Sequence, residues 1–164
     1  MFGITSAASF FQKARANYKR VEADISDAGV ALDCILTLYH LHEWVWALWL
    51  KDRRDVRNKL GLKNGKSDFL VWLDVNCPHF QLVQELANGT KHCSPVHPTR
   101  KVAGFGVGPF GVGPFGKPYL LIDLGDASEP AQRYLVASNV MKDNLAFWET
   151  FVEEHGIVDE NRPD

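Results

Sequence analysis

The sequence predicts a mainly helical fold: a four-helix bundle with a small antiparallel β-hairpin or three-stranded meander inserted before its last helix. Three observations carry that reading. Apolar residues recur at spacings of three and four over four long segments, the pattern of helices with one buried face. Two short β-like runs, 99–103 and 119–124, flank a stretch rich in Gly and Pro. The length of 164 residues, 46% hydrophobic and 12% aromatic, suffices for a single core. A domain of that size buries roughly 70% of its unfolded surface and needs neither disulfide nor metal to fold. The expected organisation is one domain over 1–158, with the β insertion at about 99–138 and a loose polar tail over 159–164.

The first helix is expected over about 7–24 behind a cap at Ser6, with Phe11, Ala14, Tyr18, Val21 and Ile25 inward. Ser26 or Asp27 caps a second helix over about 28–52. Its two adjacent rows are Val30, Cys34, Thr37, Leu41, Val45, Leu48 and Ala31, Ile35, Leu38, His42, Trp46, Trp49. Two rows mean neighbours on more than one side. Residues 53–66 read as a charged connector, followed by a short helix over 68–73 whose Phe69, Leu70 and Trp72 plug the core. Pro78 suits the first turn of a third helix, because the N–H it lacks is unsatisfied there anyway. That helix points Phe80, Val83, Ala87 and Thr90 inward and ends near His92. A third strand at 133–137 is the alternative to an early start of the last helix. Asn139 is the expected cap of that helix, with Met141, Leu145, Trp148 and Val152 inward and Gly156 as its stop.

Charge and cysteines narrow the setting. A net charge of −2 gives no global footprint for nucleic acid. Only the run of Lys51, Arg53, Arg54, Arg57, Lys59, Lys63 and Lys66 is basic, read either as a solvated helix end or as a phosphate-facing patch. Three cysteines make no complete disulfide framework. The first residues lack a signal-peptide pattern, and Asp33, His40, His42 and Glu43 interrupt the longest apolar segment. A cytoplasmic protein without membrane contact is expected.

Residues 106–115 repeat Gly-Val-Gly-Pro-Phe twice, which generates GxGxxG and GxxxxGK matches. A nucleotide loop must follow a strand and open a helix, whereas here a strand follows and Pro118 takes the Ser/Thr position after Lys117. No cofactor is expected. The loop reads as a hairpin tip whose Phe105, Phe110 and Phe115 fold back on the bundle or contact a protein partner.

Polar chemistry gathers on two helices. Glu85, Asn88 and His92 stand at i, i+3 and i+7 on one stripe, with Lys91 adjacent. The second helix adds His40, His42 and Glu43. Histidine beside a carboxylate or amide suits acid–base work near neutral pH, although polar residues near a helix end also serve as caps. Cys77, His79, His92, Cys93 and His97 look like scattered zinc ligands. On one continuous helix, however, His79 and His92 would stand ~20 Å apart, and zinc needs its ligands at ~2 Å. No metal is expected.

On these features the chain resembles the HEPN superfamily of small helical bundles, in a bacterial branch with a Gly-rich hairpin and a Phe-Trp-Glu run, here Phe147-Trp148-Glu149. The likeness covers roughly 7–92 and 139–155. The segment Ala87-Asn88-Gly89-Thr90-Lys91-His92 matches the family's nuclease motif at Asn88 and His92, with Ala87 at the Arg position. The resemblance implies a homodimer acting on RNA in stress response, toxin–antitoxin pairs or phage defence. It further implies a metal-independent endoribonuclease in which His92 moves protons, Asn88 orients it, Lys91 binds phosphate and Glu85 positions them. Losing the Arg predicts weak cleavage, since Lys lacks its bidentate fork. The alternative is a non-catalytic interaction module using the Gly/Phe loop.

Overall fold

The computed structural model describes residues 3–91, 97–103, 108–126 and 132–158. It is mainly helical, with one three-stranded antiparallel sheet ahead of the last helix. Helix α1 spans Ala7–Ala23 behind Ser6, which forms a capping box with Ser9. Asp27, rather than Ser26, caps α2 over Ala28–Val45 by accepting from the Val30 N–H. Helix α2 lies at the centre and packs against α1, α5 (Phe80–Lys91) and α6 (Ala137–Glu154).

The predicted 28–52 helix does not continue as α-helix to its end. Residues Trp46–Leu50 form a π-helical turn instead. A π turn inserts extra residues per turn, so side chains beyond it lose the α phase. Leu48 is therefore 53% exposed despite its place in the apolar row, and Leu50 takes the buried position. The expected connector contains a helix, α3 (Arg54–Lys59), and the short plug is longer than expected, α4 (Lys66–Asn76). Phe69 and Leu73 of α4 are buried.

Pro78 does not enter the third helix; α5 runs Phe80–Lys91. His79 before it takes a left-handed φ of 59°. Neighbouring contacts hold this uncommon conformation. The buried Asn144 amide donates to the Pro78 carbonyl (3.1 Å), and His79 Nε2 lies 3.5 Å from Asp143. Phe80, Val83 and Ala87 are buried as expected. The side chain of Thr90 lies outside the described residues.

Strands β1 (Thr99–Val102), β2 (Tyr119–Asp123) and β3 (Tyr134–Val136) form the meander in the order β1-β2-β3. Side chains alternate along β2. Leu120 and Ile122 join the main core, while Tyr119 and Leu121 cluster with Val102 and Val136 on the other face. The Leu120 N–H also donates to the Ile25 carbonyl, tying the sheet to the turn between α1 and α2 (3.2 Å). The third strand is therefore real, and it abuts the last helix directly. Helix α6 (Ala137–Glu154) starts two residues before the expected cap Asn139, with no side-chain cap. Met141, Leu145 and Trp148 are buried, Val152 half-buried.

The glycine repeat has a structural meaning. Gly108 and Gly113 occupy equivalent repeat positions, and both press against the Tyr119 ring; a Cβ would sit 2.5 Å and 2.4 Å from its atoms. Tyr119 also donates its hydroxyl proton to the Val112 carbonyl (2.6 Å). Gly113 has φ +83, and Gly116, at φ +75, has nothing within 4 Å of its Cβ position. Gly113→Ala is expected to cost about 1–3 kcal/mol through overpacking added to backbone strain, and Gly116→Ala less. Urea unfolding of the two variants checks this, and equal losses would refute the Tyr119 clamp.

One core residue makes stability depend on pH. His42 is buried edge-on against Phe80. Its Nδ1–H donates to the Tyr39 carbonyl (2.5 Å). Burial pushes its pKa below the usual value, and the Tyr39 bond only partly opposes that shift. The unfolded chain therefore binds this proton more readily. The contribution of neutral His42 is complete above the unfolded pKa of about 6.5 and is lost as pH falls through that value toward the lower folded one. The urea midpoint is expected to drop between pH 7 and pH 5.5, and more steeply than in His42→Leu. Parallel slopes in the two proteins would rule the mechanism out.

Candidate functional site: a carboxylate–imidazole pair at an apolar cleft

The N-terminal half of α2, the C-terminal half of α5, the start of α6 and the helix-facing side of the sheet do not close completely on one another. They enclose a cleft of about 370 Å³. Leu32 and Ile35 of α2, Leu86 of α5, Leu120 and Ile122 of β2, and Met141 of α6 supply apolar walls. Glu85, His97 and Thr99 supply the polar side chains. The volume lies within the range of small-molecule sites, which pair apolar walls with a few placed polar groups.

His97 Nε2 lies 2.7 Å from Glu85 Oε2. The carboxylate can only accept, so Nε2 carries the proton and donates it. In the neutral imidazole this leaves Nδ1 with its lone pair, as when a carboxylate fixes the tautomer of a general base. The other oxygen, Glu85 Oε1, accepts from Gln81 Nε2 at 3.3 Å, one turn back on α5. Both carboxylate oxygens are thus held. The His97 side chain is 18% exposed and that of Glu85 33%, so the pair is shielded and still reachable.

The polar residues named from sequence separate into distinct places. Glu85 lines the cleft, and Asn88 is half-buried on the same helix. His92 lies outside the described residues, as does the side chain of Lys91. His40 and Glu43 pair with each other (Nδ1 to Oε2, 3.0 Å) and Lys66 joins them at 3.2 Å. Partial burial works against ionisation of Glu43, yet its bonds from His40 and Lys66 outweigh that and hold the carboxyl below its ordinary range. His42 is enclosed in the core. None of these four side chains lines the cleft.

His97 was visible in sequence only as one of the scattered metal ligands. Glu85 and His97 are twelve residues apart and lie on different elements, so no helical spacing connects them. Among the described residues no group of three or more His, Cys, Asp and Glu is placed to hold a metal. At the two described cysteines thiol chemistry is also suppressed: burial pushes Cys34 up to about 12 and Cys77 upward too. Both are therefore neutral thiols near pH 7.

At the hairpin tip, Phe110 is 106% and Phe115 86% exposed; Phe105 lies outside the described residues. No described helix is long and apolar enough to cross a membrane. Comparison with family models, with curated proteins and with solved structures found no match.

Proposed function

We propose that the protein is a HEPN-like module in which α1, α2, α5 and α6 form a four-helix bundle and the cleft beside Glu85–His97 is a site for RNA. The single observation that carries this reading is the 2.7 Å Glu85–His97 pair at an apolar cleft of about 370 Å³. Apolar walls suit the faces of a nucleobase, and the pair offers one oriented base to a ribose hydroxyl. Gly89, inside the segment that resembles the family's nuclease motif, lines the same cleft.

In the reaction that follows, His97 Nδ1 takes the proton of a 2′-hydroxyl. The freed oxygen bonds to the adjacent phosphorus while the bond from phosphorus to the 5′-oxygen breaks. Water supplies the proton that the departing 5′-oxygen needs, and the hydroxide left behind takes the proton back from His97 Nδ1; the products are a 2′,3′-cyclic phosphate and a 5′-hydroxyl. Glu85 stabilises the imidazolium formed. No Lys or Arg side chain lines the cleft among the described residues, and Ala87 stands at the motif's Arg position. Charge developing on the phosphate is then poorly compensated, so turnover is slow. Incubating the protein with tRNA in EDTA tests the reading; 2′,3′-cyclic ends that fail to accumulate would sink it.

A second reading is favoured by the hairpin. The Tyr119 clamp holds a loop from which Phe110 and Phe115 project into solvent. Exposed aromatic pairs of this kind serve as protein contacts. In that case Phe110→Ser abolishes capture of a partner and leaves the cleft's ligand binding intact. A pulldown with both hairpin and cleft variants separates the two readings.

A further inference from the structure

The chain carries net −2, yet the thirteen residues from 51 to 63 hold six cations against two carboxylates, a local net of +4. Five of these cations, Lys51, Arg53, Arg54, Lys59 and Lys63, are exposed. None of the five forms an ion pair among the described residues, whereas Arg15, Arg20, Lys66 and Arg133 elsewhere do. A solvated face needs only scattered charges of both signs. Here Asp52 and Asp55 lie inside the run and still leave these cations unpaired.

The segment also sits beside a groove with one aromatic wall, Trp49. The π-helical turn places Trp49 half-buried at its wall, and the Arg53 guanidinium lies 5.0 Å from the Trp49 ring centroid. Leu48, Trp49, Asp52 and Arg53 line a groove of about 440 Å³ against the start of α1. Planar cation on aromatic ring, flanked by unpaired cations, is the combination that single-stranded nucleic acid uses: stacking for bases and charge for the backbone.

We infer that the π turn and α3 form a docking surface for the sugar–phosphate backbone of single-stranded RNA, with the Trp49–Arg53 wall as its stacking element. This rests on the RNA reading above and adds a second, separate contact to it. Leu32 at the cleft and Leu48 at the groove are sixteen residues apart on a nearly continuous helix, ~24 Å along its axis. The two sites are therefore separable by mutation.

Fluorescence anisotropy with a labelled twelve-nucleotide polyuridine tests the proposal in wild type, Lys51→Glu/Arg54→Glu/Lys59→Glu and, as a charge-matched control on other exposed lysines, Lys13→Glu/Lys19→Glu/Lys142→Glu. Thermal melts establish that each variant folds. Wild-type affinity is expected to fall with salt at a log–log slope of about −2 to −3, as for three or four neutralised phosphates. The triple variant is expected to bind roughly tenfold or more weakly with a shallower slope, and the charge-matched control on exposed lysines outside the segment to bind as wild type does. Triple-variant affinity within about twofold of wild type, an equal loss in the charge-matched control, or no binding at all would each overturn the docking surface. Phosphatidylserine vesicles form a further arm: if they are bound and polyuridine is not, the patch faces a membrane and the RNA assignment is overturned. Cyclic-phosphate formation on tRNA by wild type, together with a triple variant that binds polyuridine as wild type does, would show the cleft reading standing while this one fails.

Discussion

Cleavage of tRNA by His97→Ala is expected to fall by roughly a hundredfold or more, the usual contribution of a positioned acid–base group. Glu85→Gln is expected to fall nearly as far. The amide is neutral and stabilises a histidinium poorly, and its NH2 group can displace the Nε2–H that now meets the carboxylate at 2.7 Å. Asn88→Ala serves as the neighbouring control on α5, since Asn88 does not line the cleft. The measurement is the rate of 2′,3′-cyclic phosphate appearance in EDTA, with melting temperature followed in parallel. Wild-type rates in His97→Ala would remove the residue from the chemistry altogether. A loss confined to Asn88→Ala would return the proton-transfer role to the α5 motif and leave the cleft pair as a structural contact.

The second large effect concerns the fold. Trp148 is fully buried on α6 and packs edge-on against Phe147 and Phe151. Trp148→Ala is expected to destabilise by about 3–5 kcal/mol, because the transfer energy of the ring is lost and a cavity remains. In a chain of this size that lowers the melting temperature by roughly 6–20 °C. The indole N–H has no hydrogen-bond partner among the described residues, so the ring contributes through packing. Trp148→Phe is accordingly expected to retain more stability than Trp148→Ala. Calorimetry of the two variants checks both the size and the order. If Phe proves as damaging as Ala, the nitrogen matters and the packing account fails.

Much of the fold was legible in the residues themselves. Phe11, Ala14 and Val21 of α1, Cys34, Leu38 and Leu41 of α2, and Met141, Leu145 and Trp148 of α6 are all buried, where their spacing placed them. Ser6 caps α1, where the sequence places its cap. The errors have local causes. The π turn could not be seen because the apolar rows continue through Trp46–Leu50 with α spacing, and only packing selects the wider turn. The start of α6 was misplaced because Val136 ends a strand and Ala137 opens a helix without any capping side chain.

The amino-acid sequence alone determined the helical periodicity, the single insertion ahead of the last helix, the turn residues and the histidine that folding buries. Such features depend on spacing along the chain, and spacing is what a sequence records. Tertiary structure alone decided that Glu85 meets His97 rather than His40 or Glu43, that a cleft opens beside them, and that equivalent glycines of a repeat clasp Tyr119 while Phe110 projects outward. Each of these joins residues on different elements, and their meeting depends on how helices and sheet pack. Packing energy is shared over the whole core and written in no single motif.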